Sequence, residues 1–191
     1  MAKYMDRALV LVKPDGVERA LIGAVIKRFE DSGLKVVGLK MVKPTEAVVG
    51  SHYTDDKEWL LSVGKKAKQS AKEKGSKSDD TEMDIGRRIR SLLIKELTHG
   101  VVVAFVLEGN SAAEAARKIA GGTEPKSADP SSIRGAYSTD SYSMADRKKR
   151  PVRNIVHVSE NGEIAEKEIK IWFNDSELFK YSRADEESMY G

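Results

Sequence analysis

The chain has 191 residues, of which 40% are apolar and 33% charged, with a formal net charge of +3 at pH 7. This length and mixture suit one soluble domain with a sizeable core, and the small positive charge fits anionic ligands without demanding nucleic acid. The absence of cysteine excludes disulfides, thiolate zinc sites and cysteine catalysis, and three histidines without HxxxH-type spacing argue against a dedicated zinc site.

The N-terminus runs almost directly into a strand pattern, with no leader-like segment and no apolar run of membrane length, so cytoplasmic residence is expected. Residues 7–13, RALVLVK, read as a buried strand ended by the turn Pro14-Asp15-Gly16. Ile22, Val25, Ile26 and Phe29 recur at helical spacing, and Gly33 is placed to stop that helix. Residues 34–43 predict a second strand closed by Pro44, with Thr45 as N-cap of a short helix toward His52 and Tyr53.

From Ser62 to about Asp84 the composition shifts to Lys, Ser, Glu and Gly, which predicts a solvated insertion, part helix and part loop. The basic stretch Lys65 to Lys74 within it reads as a solvated face. Ile85, Ile89, Leu92, Leu93 and Leu97 restore a helical stripe, and residues 101–107, VVVAFVL, are the most strand-like run of the chain. Ser111 and Glu114 have capping-box spacing at the head of a helix that carries Arg117. Residues 121–153 read as a long loop with a solvated basic run at Arg147 to Arg150. Residues 174–191 form a polar, acidic tail with a few anchoring aromatics.

The order strand, helix, strand, strand, helix, strand predicts an α+β fold, ferredoxin-like, with a four-stranded antiparallel sheet and flanking helices. We take residues 1–191 as one domain, with insertions at about 60–97 and 138–151 and a tail at 174–191.

The chemistry concentrates near the end. With period two, Ile155, His157 and Ser159 share one face of a short strand, and Val156 and Val158 share the other. Residues 161–172 then read as a helix whose apolar arc holds Ile164, Ala165, Ile169, Ile171 and Trp172. Glu168 falls in the middle of that arc, where a carboxylate is costly without a partner. His157 and Ser159 are the nearby polar groups, if the helix packs back on its strand. The plain reading is a core histidine in a structural hydrogen bond; the sharper one is a nucleophile with orienting groups. Elsewhere, Lys13, Arg117 and Arg134 supply three cations on or beside ordered elements, with Thr123 and Asn154 as neutral hydrogen-bonding groups. Such a set suits phosphate, and a neutral histidine beside it could accept a phosphoryl group. There is no GxxxxGK[ST] loop.

Taken together, LVLVKPDGVERALIG, FEDSGLKVVGLKMVKPT, SHYTDD, VVVAFVLEGNSAAEAARKIAGGTEP, IRGAYS and RNIVHVSENGEIAEKEIKIWF resemble, in order, the motifs of the nucleoside diphosphate kinases. The resemblance covers nearly the whole chain apart from the two insertions and the tail. It implies reversible transfer of a γ-phosphate from a nucleoside triphosphate to a nucleoside diphosphate by a ping-pong route, with a phosphohistidine on His157 and broad base specificity. It places Ser159 and Glu168 on the groups that orient the histidine, and Tyr53 on a tyrosine lining the site. Lys13 and Asn154 fall on contacts to ribose and phosphate, Arg117, Thr123 and Arg134 on phosphate contacts, and Trp59 on the aromatic that stacks on the base. Mg²⁺ is implied as a companion of the nucleotide phosphates, and the partners implied are nucleotides and further copies of the chain, a hexamer ahead of a tetramer. No nucleic acid is expected: a ferredoxin-like sheet can bind RNA, but the chain lacks an aromatic-rich strand for it. Three residues depart from the family pattern: Val158 stands where Gly or Ala is usual, Ala136 where Asp is common, and Glu160 in place of the usual Asp.

Overall fold

The computed structural model describes residues 5–73 and 79–190. Lys74, at the end of the basic stretch, and Gly191, at the end of the tail, lie outside the described residues. The elements run β1 (Met5–Val12), α1 (Pro14–Glu18), α2 (Ile22–Glu30), β2 (Lys35–Val42), α3 (Glu46–His52), α4 (Lys57–Glu73) and α5 (Glu82–His99). They continue with β3 (Val102–Asn110), α6 (Ala112–Ala120), α7 (Ile133–Tyr137), α8 (Tyr142–Arg147), β4 (Val156–Val158), α9 (Gly162–Trp172) and α10 (Glu186–Tyr190). The strands form one sheet in the order β2-β3-β1-β4, antiparallel throughout. This is the ferredoxin-like arrangement that the element order predicts.

The central strands read as unbroken apolar runs because both faces of the sheet are covered. Ala8, Val10, Val12, Val103, Phe105 and Leu107 bury one face against α2 and α6, where Phe29 meets Phe105 edge to face at 5.8 Å. Leu9, Leu11, Val102, Ala104 and Val106 bury the other against α3, α5 and α9. Alternation with period two therefore feeds two separate clusters from each strand. Gly33, at φ 86°, takes the left-handed position that ends α2. Thr45 caps α3 by accepting from Val48 N.

The stretch expected as part helix and part loop holds helix on both sides of residues 74–78, which lie outside the described residues. Through Glu73 it is continuous helix, and α4 packs on α5 as a hairpin. The physical reason is two glycines. A Cβ on Gly64 would lie 1.8 Å from Glu82 O, and one on Gly86 would lie 2.2 Å from Leu60 O. The two backbones touch, so helix pairs with helix where few large apolar side chains are available, while Lys65 and Lys66 stay exposed. Arg90 of α5 also reaches across to donate to Tyr53 O at 2.7 Å and Gly50 O at 3.2 Å, satisfying carbonyls at the end of α3.

Three further expectations are corrected. Ser111 is no capping-box residue: it sits in the left-handed region at φ 47°, and its side chain caps nothing. Asp6, from β1, instead accepts from Ala112 N at the head of α6. Residues 121–153 are not a plain loop but hold α7, α8 and a single 3-10 turn at Pro125–Ser127. Ile155 does not share a face with His157. At φ 71° its backbone is left-handed, and its side chain joins the α2–α6 cluster together with Val156 and Val158.

Candidate active site

The strained residue Ile155 organises the entry to the site. A β-branched side chain in the left-handed region is a true outlier and costs on the order of 1–3 kcal/mol. The turn after β1 holds it there from three sides. Lys13 N donates to Ile155 O at 2.7 Å, and Ile155 N donates to Asp15 Oδ2 at 3.0 Å. At Gly16 a Cβ would lie 3.0 Å from Ile155 Cγ2, so the turn leaves space that only glycine provides. The outcome is that Asn154 and His157, on either side of this kink, are both fixed to β1.

His157 pairs across the sheet with Leu11, on the face covered by α9. Its Nε2 lies 3.1 Å from Glu168 Oε1 and 3.2 Å from Oε2. A carboxylate only accepts, so Nε2 carries the proton and donates, and Nδ1 keeps its lone pair. Ser159, fully buried, donates to Glu168 Oε2 and accepts from Leu9 N at 3.1 Å. Burial pushes the Glu168 carboxyl up. The attraction of His157 and the hydrogen bonds from His157 and Ser159 outweigh it and hold the pKa below its ordinary value.

The cations collect beside this unit. Lys13 is buried and donates to Asn154 Oδ1 at 2.6 Å, and Asn154 Nδ2 donates to Thr123 O at 2.9 Å. Arg134 donates to Gly121 O at 2.7 Å and to Val156 O, just before His157, at 2.8 Å. Its buried Nε has no hydrogen-bond partner among the described residues. Arg117 is exposed at the end of α6. Burial lowers the Lys13 pKa to about 8; Asp15 opposes the shift and Arg134 adds to it. Burial, then the charge of Arg117, lowers Arg134 to about 10. Cations held below their ordinary pKa by burial and by one another form a site short of negative charge, which suits an anion.

Tyr53 is buried next to His157, with ring centroids 6.5 Å apart. Burial and the charge of Glu168 push its hydroxyl above the ordinary range, against Arg134. Trp59, in the first turn of α4, is partly buried against the α3–α5–α9 cluster, with its ring centroid 6.1 Å from that of Tyr53. Thr123 is exposed and hydrogen-bonded by its side chain to Tyr142, which α8 brings in. Val158 points away from the histidine into the α2–α6 cluster, and Ala136 lies within α7.

The structure adds residues that the sequence did not single out for the site. His52 is buried with its ring 4.4 Å from that of His157, and Trp172 Nε1 donates to its Nδ1 at 3.3 Å. The His-Tyr pair was a visible signal for His52, whereas Trp172 was hidden within an apolar arc. His52, His157 and Glu168 are also the one grouping of three metal-binding side chains among the described residues. Two nitrogens and one carboxylate suit zinc-like ions better than Mg²⁺, which prefers oxygen ligands.

The profile of the nucleoside diphosphate kinase family matches residues 6–61 and 84–178. A nucleoside diphosphate kinase of Pyrobaculum aerophilum is 41% identical over 181 residues, covering 92% of this chain and 99% of that protein. One of Borreliella burgdorferi is 36% identical, covering 95% of each chain. Among solved structures, an NDP kinase from Pyrobaculum aerophilum superposes with a TM-score of 0.88 at 40% identity, over 92% of this chain and all of that one. A transition-state mimic of the Borrelia burgdorferi nucleoside-diphosphate kinase, with bound vanadate and ADP, superposes with a TM-score of 0.78 at 35% identity, over 97% of this chain and 96% of that one. With the matching profile spanning well over half its length, the chain belongs to the nucleoside diphosphate kinase family.

Proposed function

We propose that this protein moves the γ-phosphoryl group of a nucleoside triphosphate to a nucleoside diphosphate through Nδ1 of His157. The observation that carries the reading is the His157–Glu168 pair: with Nε2–H donated to a buried carboxylate, the ring presents a bare Nδ1 lone pair. In the first half-reaction that lone pair attacks the γ-phosphorus and an N–P bond forms. The P–O bond to the β-phosphate breaks, its electrons remaining on the β-phosphate oxygen. The phosphorylated ring keeps its Nε2 proton, and Glu168 balances the positive charge that develops. In the second half-reaction a terminal oxygen of an acceptor diphosphate attacks the phosphorus, and the N–P bond breaks back to the free lone pair. Lys13, Arg117 and Arg134 spread the charge of the transferring oxygens, and Asn154 and Thr123 align the nucleotide. Tyr53 packs beside the reacting ring. Mg²⁺ arrives as part of the nucleotide substrate, bound by phosphate oxygens. Trp59 offers a ring face to the base, and stacking on a face reads no base edge, which fits use of all nucleobases.

The same reading treats residues 1–191 as one kinase domain that self-associates, in the cytoplasm. Support for association is the outer edge of β2, which pairs only with β3 among the described strands and exposes Leu39 and Met41. The tail reaches that edge through Phe179 N, which donates to Val37 O, and Tyr181 Oη, which donates to Val36 O. Among the described residues no helix is long and apolar enough to cross a membrane.

The test is incubation with γ-labelled ATP and Mg²⁺, then a chase with CDP. Acid-labile, base-stable label on His157 that leaves as CTP is the expected result. A His157→Ala protein that makes triphosphates at the wild-type rate would overturn it.

A further inference from the structure

α3 ends at His52, α9 ends at Trp172, and β4 carries His157, so three ring systems meet on one face of the sheet. The His52 ring stands edge-on to His157 at 82° and to Trp172 at 82°, with centroids 4.4 Å and 5.8 Å away. The indole N–H of Trp172 donates to His52 Nδ1 at 3.3 Å. An indole nitrogen can only donate, so His52 Nδ1 is the bare, accepting nitrogen and the neutral ring holds its proton on Nε2. That Nε2 is buried without a hydrogen-bond partner among the described residues. A proton left in such a place marks a tautomer imposed by the surroundings rather than chosen by the ring.

The consequence falls on Glu168. Its Oε1 lies 3.7 Å from His52 Nδ1 and 3.1 Å from His157 Nε2. While the indole holds His52 Nδ1 bare, carboxylate and imidazole are two acceptors and no bond forms between them. If the proton moved to Nδ1, His52 would donate to Glu168 after a small approach, and the carboxylate would divide between two histidines. The Glu168 carboxylate has two other donors in this cluster, His157 Nε2–H and Ser159 Oγ–H.

We propose that Trp172 and His52 form a tautomer lock: the indole N–H holds His52 Nδ1 bare and thereby reserves Glu168 for His157. Both are positioning residues that act on the nucleophile through Glu168. The proposal rests on His157 being the nucleophile, but its first readout does not use activity. Long-range ¹H–¹⁵N spectra of the imidazoles distinguish rings protonated on Nδ1 from rings protonated on Nε2. In the wild-type protein both His52 and His157 are expected as Nε2–H rings. His52 found protonated on Nδ1 overturns the lock whatever the enzyme does.

The second readout is a double-mutant cycle on the rate of His157 phosphorylation, measured in rapid-quench experiments. Trp172→Phe keeps an aromatic ring and removes the N–H. It should slow phosphorylation roughly twofold to tenfold, the size expected for one net hydrogen bond. It should also shift His52 toward the Nδ1–H form and leave nucleotide affinity unchanged. Adding His52→Phe removes the competing nitrogen, so the double variant should recover much of the lost rate. Two merely structural roles would couple as well, because the side chains touch, but would not bring the double variant above the Trp172→Phe rate. A Trp172→Phe protein that phosphorylates at the wild-type rate, or a double variant no faster than Trp172→Phe alone, would overturn the proposal. A wild-type protein that never takes the label, yet shows both expected tautomers, would retain the lock and overturn the phosphohistidine reading instead.

Discussion

Glu168→Gln is the sharpest probe of the chemistry. The carboxylate faces two donors, His157 Nε2–H at 3.1 and 3.2 Å and the hydroxyl of the buried Ser159. A glutamine keeps one carbonyl oxygen for one of these donors and turns an N–H toward the other. The variant therefore loses a charge-assisted hydrogen bond, of about 1.5–3 kcal/mol in general. The charge that would balance the phosphorylated ring is also gone, so the loss falls on the step in which that charge develops. If the loss falls wholly on the transition state, phosphorylation slows roughly tenfold to 150-fold. Rapid quench with labelled ATP reads the rate, equilibrium binding reads nucleotide affinity, and circular dichroism checks the fold. A slower rate at unchanged affinity is expected. Wild-type phosphorylation in the Glu168→Gln protein, or a loss confined to affinity, would refute the reasoning. Stability carries the same signature. Because the folded pKa of Glu168 lies below its ordinary value, its contribution is present above that value and is lost as pH falls through the folded pKa. Glu168→Gln should flatten that acid limb of the stability curve.

Lys13 has a folded pKa of about 8, so it is charged at neutral pH and loses its charge as pH rises through that value. A bound phosphate restores the charge; ADP binding at about pH 9 should take up a proton, seen by calorimetry in buffers of different ionisation heat, and Lys13→Met should abolish the uptake. No proton uptake by the wild-type protein would refute the assignment. Gly86→Val places a side chain against Leu60 O and should destabilise the α4–α5 hairpin by about 1–3 kcal/mol in urea unfolding. An unchanged midpoint would mean that the helices separate freely. Ser111→Gly should leave stability unchanged or raised, because glycine relieves the left-handed backbone at φ 47°; loss of a true N-cap would instead be expected to cost a few tenths of a kcal/mol.

Much of the fold was legible because its signals are local. Apolar runs such as residues 101–107 report a strand covered on both faces, and the Ile22, Val25, Ile26 and Phe29 spacing reports a helix on one of them. The site left a local trace as well: a glutamate in the middle of an apolar arc, eleven residues after a histidine, has to be buried against something polar. Composition gave the mixture of helix and loop in the insertion but not what holds its helices together. The lysine-rich stretch folds through Glu73 because Gly64 and Gly86 let two helices touch, and a glycine in sequence does not announce what lies against it. Capping misled, because Asp6 caps α6 across 106 residues and the Ser111 spacing became irrelevant. Tertiary structure alone decided that Ile155 turns left-handed, since the Asp15 carboxylate and the space beside Gly16 stabilise it from the other end of the chain. It also decided that Trp172 meets His52, 120 residues away. Periodicity states which side of an element is buried; which buried groups face each other follows from sheet register and helix packing, and that is what gathers His157 and its neighbours into a candidate site.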